Sequence, residues 1–206
     1  MSLITLTHAM KQLPLIAILR GITPNEVLDY AKVLIDIGYR VIEVPLNSPE
    51  ALKSIKLLSD KYADIAIIGA GTVVTKDEVD QVIEAGGRII ISPHSDVEVI
   101  RYSKLKGLYS VPGFYTPTEG FAALHAGADA LKLFPADTAG PKGLKAITTV
   151  LSSIDIYPVG GVSPQNQDEF VNAGATGFGL GSGLYKAGMG LEEFTTNAKN
   201  YAEYYL

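Results

Sequence analysis

DIGYRVIEV, at residues 36–44, decides the fold: a helix-like stretch ends in Gly38 and a short apolar run, Val41 to Val44, follows at once. A glycine just past the last periodic residue reads as a left-handed helix C-cap, and a short apolar run bounded by turn signals reads as a buried parallel strand. The same unit recurs as EAGGRIIIS at 84–92, LKGLYSV at 105–111, HAGADALKL at 125–133 and NAGATGFGL at 172–180. Its glycines, Gly38, Gly86, Gly107, Gly127 and Gly174, lie 48, 21, 20 and 47 residues apart. The long intervals have room for a missing member each, and YADIAIIGAGTV at 62–73 and SSIDIYPVGGV at 152–162 occupy them.

With LIAILRG at 15–21 the apolar runs number eight: Leu15 to Leu19, Val41 to Val44, Ile65 to Ile68, Arg88 to Ile91, Leu108 to Val111, Ala130 to Leu133, Asp155 to Val159 and Thr176 to Leu180. Between them TPNE at 23–26, TKDE at 75–78, SDVE at 95–98 and TPTE at 116–119 each set a hydroxyl three residues before Glu, the capping-box signature of a helix start. Eight strand-helix units at about 26 residues each are the arithmetic of a compact (β/α)8 TIM barrel. The expectation is an α/β chain folded as one domain over 1–206, with an extra N-terminal helix within 1–14. The competing reading is an open doubly wound sheet, which often opens on a glycine-rich dinucleotide fingerprint. ILRGITPNE, after the first run, lacks it.

Composition closes off several chemistries. The 206 residues contain no cysteine, so there is no disulfide, thiolate nucleophile or zinc ribbon, and only three histidines. A reducing, cytoplasmic setting fits. Net charge is −5, which argues against a nucleic-acid partner, so any bound anion must be met locally. The first 21 residues show neither a signal peptide nor an apolar run near the roughly 18 residues of a membrane span. No membrane association is expected.

Strand residues alternate between the two faces of a sheet, so a charge flanked by aliphatics that pack on helices is aimed at the barrel interior. Glu43 in VIEVP and Lys132 in ALKLF both read this way, near the carboxyl ends of the second and sixth runs, where this fold keeps its active sites. A purely structural ion pair is the plain alternative, yet buried pairs stabilise weakly once desolvation is counted. Burial would instead lower the lysine pKa and make its amine a nucleophile toward a ketone, with the glutamate moving protons. Arg20, closing the first run, and Thr72, after the third, could hold a carboxylate at the same rim.

VGGVS at 159–163 and GLGSG at 179–183 follow the seventh and eighth runs. Glycine-freed amides at helix N-termini beside a serine make an anion cradle, and phosphate binding after strands 7 and 8 is a habit of this fold. His8 and His125 read as surface or packing residues; only His94, in SPHS, falls at the active rim. One histidine without a carboxylate cluster does not make a metal site, and no cofactor is expected. The tyrosines of YAEYYL read as a packed or interfacial last helix.

VIEVPLNSP, GAGTV, ISP, ALKLFPA, PVGGVSPQN and GLGSGLY, in this order and spacing, resemble the family of 2-keto-3-deoxy-6-phosphogluconate and 6-phosphogalactonate aldolases, the KDPG/KHG aldolases. The resemblance covers Leu15 to about Gly188. It implies a metal-independent class I aldolase on a (β/α)8 barrel, commonly a homotrimer, acting on a phosphorylated 2-keto-3-deoxy sugar acid. Carried over by motif, Lys132 is similar to the Schiff-base lysine and Glu43 to the general acid and base. Arg20 and Thr72 match the positions that hold the pyruvate-end carboxylate and nearby oxygens. Pro93 and Phe134 fall in substrate-contacting motifs, and Gly160, Gly161, Gly181 and Ser182 match the phosphate loops.

Two places depart from the gluconate-type members, which tend to carry Arg after the Glu strand and Thr before the paired glycines. Here those places hold Asn47 and Val159, and both resemble the galactonate branch. Exchanging Thr for Val removes a hydroxyl that could bond the carbon-4 oxygen, which bears on the choice between epimers. His94 also departs from the Gly or Asn expected after ISP. Rival readings are a gluconate-type or 4-hydroxy-2-oxoglutarate aldolase, a phosphosugar epimerase or isomerase on the same scaffold, and a non-catalytic sugar-phosphate sensor.

Overall fold

The structure is a computed structural model that describes residues 3–206. Strands β1 (Leu15–Ile18), β2 (Val41–Pro45), β3 (Ile67–Gly71), β4 (Ile89–Ile91), β5 (Tyr109–Val111), β6 (Gly113–Phe114), β7 (Leu131–Leu133), β8 (Ile156–Pro158) and β9 (Phe178–Leu180) are all paired in parallel. They form two curled sheets, ordered β5-β4-β3-β2-β1-β9 and β6-β7-β8. Helices alternate with them: α1 (Leu6–Gln12), α2 (Val27–Ile37), α3 (Ala51–Tyr62), α4 (Lys76–Glu84), α5 (Val97–Leu105), α6 (Pro117–Ala126), α7 (Ala136–Thr148), α8 (Gln167–Asn172) and α9 (Leu191–Ala202). This is the parallel α/β alternation that the repeating unit predicts.

The sheets meet at two seams. Pro112 alone separates β5 from β6, and its carbonyl accepts the Lys132 amide of β7 at 2.9 Å. At the other seam Val159, just past β8, bridges Gly179 of β9 in parallel. Strand alternation then sorts side chains into two apolar clusters. Ile42, Val44, Ile68, Ala70, Leu131 and Leu133 face the helix layer, whereas Ile16, Val41, Ile67, Ile89, Ile91, Val111 and Tyr157 face one another inside. Leu6, Ala9 and Met10 of α1 join the inner cluster, so this helix plugs the space at the amino ends of the strands. The start of the helix expected within 1–14 includes Met1 and Ser2, outside the described residues; α1 itself begins at Leu6, capped by Thr5.

Local signals hold with three shifts. Thr75 with Glu78 and Thr116 with Glu119 form the expected capping boxes. At SDVE the cap is Asp96 rather than Ser95: its carboxylate accepts from the amides of Glu98 and Val99, while the Ser95 hydroxyl donates to Gly113. At TPNE the helix starts only at Val27, and Glu26 turns back to accept the Thr23 amide. The third strand lies later than the run Ile65 to Ile68, because Gly69 and Gly71 are strand residues and Ile65 is left 46% exposed. A Cβ on Gly69 would lie 2.0 Å from the Ile89 carbonyl oxygen, so glycine here serves close strand approach rather than a turn.

Candidate active site

The loops at the carboxyl ends of the strands enclose a cavity of about 500 Å3. Of the residues that the sequence singles out, Arg20, Thr72, Pro93, Lys132, Phe134, Val159, Gly160, Gly181 and Ser182 line it. Directly beneath is a narrow chamber where Glu43 and Lys132 meet Ile18, Ile91, Val111 and Tyr157. Strands distant in sequence thus bring the two charges to one floor. A hollow of similar size at the opposite end, bordered by α1, contains neither of these buried charges.

Glu43 is 1% exposed and Lys132 6%. No ion pair joins them among the described residues, so the structural ion pair is not what this geometry holds. Burial is the main cause of both titration shifts. It pushes the Glu43 carboxyl from 4.5 up to about 7, against the opposing pull of the Lys132 and Arg20 charges. It pushes the Lys132 ammonium down, opposed by Glu43 and aided by Arg20. Glu43 Oε2 has no hydrogen-bond partner among the described residues. The Phe134 ring, its centroid 5.0 Å from Lys132 Nζ, supplies an apolar wall.

At one rim the Arg20 guanidinium is held by two donations, Nη1 to Asn47 Oδ1 at 2.5 Å and Nη2 to Thr72 Oγ1 at 3.3 Å. Thr72 sits at φ 61°, a left-handed conformation that costs a β-branched residue roughly 1–3 kcal/mol and clusters at functional sites. Asn47 reaches the cavity only through Arg20. The Gly21 amide donates to Ser48 Oγ at 2.9 Å and ties the same two loops a second time.

A further part of the rim is built from the glycine loops, though not at the helix N-termini that the sequence suggests. The turn at Gly160 and Gly161, at φ 95° and 72°, is followed by a hydrogen-bonded turn at 163–166 before α8 begins at Gln167. Past β9, the Gly181 carbonyl accepts the amides of Leu184 and Tyr185 at 2.9 and 3.0 Å, and α9 begins only at Leu191. Helix dipoles therefore add little, and the local amides remain. Among the described residues no protein acceptor takes the N–H of Gly161, Ser182 or Gly183. Gly161 itself does not line the cavity: it packs on Asp137, where a Cβ would lie 2.4 Å from the aspartate Cβ.

Ile18, Tyr185, Lys186 and Ala187 also line the cavity, and sequence reasoning did not single them out. Tyr185 is buried and donates its hydroxyl to Glu26 Oε1 at 2.8 Å, anchoring the loop after β9 to the start of α2. Only nearness to GLGSG in the chain could have flagged Lys186. His94 is exposed beside Pro93 and does not line the cavity. Among the described residues no helix is long and apolar enough to cross a membrane.

Comparison with known proteins agrees with this geometry. The family model for KDPG and KHG aldolase matches residues 6–196. The 2-dehydro-3-deoxy-6-phosphogalactonate aldolase of Escherichia coli (strain K12) is 46% identical over 195 residues, 94% of this chain and 95% of that protein. A solved structure described as native KDPGal superposes with a TM-score of 0.92 at 46% identity, covering 94% of this chain and 95% of that one. The KDPG aldolase of Legionella pneumophila, solved with pyruvate captured as a covalent carbinolamine, superposes with a TM-score of 0.85 at 26% identity, over 95% of this chain and 96% of that one. With buried Lys132 and Glu43 on one floor beneath a cavity that has polar groups at its rim, and with a match along nearly its whole length, this chain belongs to the KDPG and KHG aldolase family.

Proposed function

We propose that this protein is a metal-independent class I aldolase that reversibly cleaves 2-dehydro-3-deoxy-6-phospho-D-galactonate to pyruvate and D-glyceraldehyde 3-phosphate. The carrying observation is the pair Lys132 and Glu43, buried together under the cavity with their titrations pushed toward neutrality from opposite sides. In the cleavage direction neutral Lys132 adds through Nζ to the carbon-2 ketone. The protonated Glu43 gives its proton to the carbinolamine hydroxyl, which leaves as water, and the iminium forms. Glu43, now a carboxylate, takes the carbon-4 hydroxyl proton while the bond between carbons 3 and 4 breaks and its electron pair flows to the iminium nitrogen. The aldehyde departs, Glu43 returns the proton to carbon 3 of the enamine, and water releases pyruvate from Lys132. A carboxyl titrating near 7 suits both halves, since each restores the proton state that the other needs.

Arg20 and Thr72 bind the carboxylate end in this reading. Pro93 and Phe134 border the reacting carbons, and Gly160, Gly181 and Ser182 receive the phosphate on their amides and hydroxyl, with Gly161 shaping the turn beside them. Val159 next to the reacting floor, with Asn47 where an arginine would mark the gluconate type, supports the galactonate epimer. On the same reading the two sheets are one closed (β/α)8 barrel, joined at Pro112 and at Val159 with Gly179, with α1 as an extra helix across its amino end. The protein works as a cytoplasmic homotrimer, as the family resemblance implies; a monomer in sedimentation would overturn that assembly.

Borohydride reduction in the presence of pyruvate tests the chemistry. A pyruvate adduct mapped by mass spectrometry to Lys132 is expected. No adduct, or undiminished cleavage by Lys132→Ala, overturns the mechanism. Rates on the phosphogalactonate and phosphogluconate acids, measured side by side, test the substrate.

A further inference from the structure

The proposed substrate carries a carboxylate and a phosphate of about −1.5 to −2 charge at neutral pH, and Arg20 answers only the first. Its guanidinium is already held by Asn47 and Thr72, on the loops after β2 and β3. Lys132 must be neutral to attack. Asp137, packed against Gly161, adds negative charge beside the phosphate loops, and a net charge of −5 offers no general attraction to an anion. Amides and one hydroxyl would face a near-dianion without a counter-ion.

Lys186 is placed to supply it. It lines the cavity together with Gly160, Gly181 and Ser182, is exposed, and enters no ion pair among the described residues. Its backbone is fixed on both sides. The turn closed on the Gly181 carbonyl precedes it, buried Tyr185 is bound to Glu26, and the Lys186 carbonyl accepts the Met189 amide at 2.9 Å. The position is preorganised while the ammonium has no partner among the described residues. We propose that Lys186 is a further substrate-binding residue whose ammonium neutralises the phosphate at the loops after β8 and β9, and that it makes the enzyme prefer the phosphorylated acid over the same acid without phosphate. This inference rests on the proposed function, and the experiment separates the two.

The wild type, Lys186→Gln and Lys186→Arg are compared in kcat/KM on 2-dehydro-3-deoxy-6-phospho-D-galactonate and on its unphosphorylated counterpart, and in binding of inorganic phosphate followed by phosphorus NMR. The glutamine variant is expected to lower the preference ratio about tenfold, the small end for a charged hydrogen bond at an exposed site. The loss falls in KM, with inorganic phosphate weakened to a similar degree, and arginine restores both. An unchanged ratio, an equal loss on both acids, or undiminished phosphate binding overturns the assignment. If the wild type cleaves neither acid, the aldolase reading falls; the phosphate titration then decides for Lys186 by weakening, or against it by staying the same.

Discussion

The Glu43 carboxylate lies over the α-carbon of Gly71: a Cβ on Gly71 would sit 1.6 Å from Oε2 and 2.4 Å from Cδ. Glu43 pairs in register with Gly69, so its side chain leans along β3 by two residues toward the carboxyl end of the strand. The glycine therefore leaves the space that the carboxylate occupies at the floor of the cavity. Gly71→Ala is expected to keep the fold, since Gly71 is not among the positive-φ residues, and to displace Glu43 from its place. Losing a general acid and base costs about 10²–10⁴ in rate. The check is kcat together with the circular dichroism spectrum; a folded Gly71→Ala enzyme within threefold of wild type would show that Glu43 need not stand there.

Glu43 also sets a pH dependence of stability. Its folded-state pKa, about 7, lies above the unbound value of 4.5, so the folded protein holds the proton more tightly. The stabilisation is complete below pH 4.5 and is lost as pH rises to about 7. At 1.36 kcal/mol per pH unit it amounts to about 3 kcal/mol at most. Glu43→Gln, neutral at every pH, is expected to remove this slope and to melt above the wild type at pH 8 while losing cleavage activity. Denaturant melts at pH 5, 6, 7 and 8 measure it, and parallel wild-type and variant curves would contradict it.

Lys132 stores stability cost in the same way with the opposite sign. Its folded-state pKa is lowered, so protonation penalises the folded state increasingly as pH falls. Lys132→Met, similar in length and without charge, is expected to raise the melting temperature, most clearly at low pH, and to abolish activity, a trade of stability for chemistry. A melting temperature below wild type at pH 6 would count against burial as the source of the shift.

Asn47 acts through Arg20. Removing it in Asn47→Ala leaves Nη1 without its 2.5 Å acceptor and lets the guanidinium wander. KM for pyruvate in the condensation direction is expected to rise about five- to tenfold, from the loss of a charged hydrogen bond at an exposed site, with kcat less affected. Asn47→Gln is expected to recover part of the loss. Equal falls in kcat and unchanged KM would place Asn47 outside carboxylate binding.

Val159 lines both the cavity and the chamber above Glu43. Val159→Thr replaces a methyl by a hydroxyl of similar volume, so the fold should tolerate it and the rate ratio between the two carbon-4 epimers should move toward the gluconate acid. A shift of about 1–3 kcal/mol, tenfold or more, is the scale for one such group. An unmoved ratio would show that another residue chooses the epimer.

Glycine after a helix and a short aliphatic run before a loop are signals carried by a few neighbouring residues. Composition and spacing alone therefore determined the parallel strand and helix alternation, and period-two alternation was enough to aim Glu43 and Lys132 inward. The order of short motifs was enough for the family. Other features depend on how distant segments approach, which no local pattern encodes. The glycines of GAGTV look like turn residues in sequence, yet Ile89 crowds one and Glu43 covers the other, making them strand. Ser95 gives up its cap to Asp96 because its hydroxyl is drawn to Gly113 on a different strand. The glycine loops after β8 and β9 lie apart from helix starts, and Tyr185 and Lys186 join the cavity because the loop after β9 folds back onto Glu26 and Gly21. The two charged residues aimed inward are legible one strand at a time, but the shared burial that moves the Glu43 and Lys132 titrations arises only when β2 and β7 face the same interior.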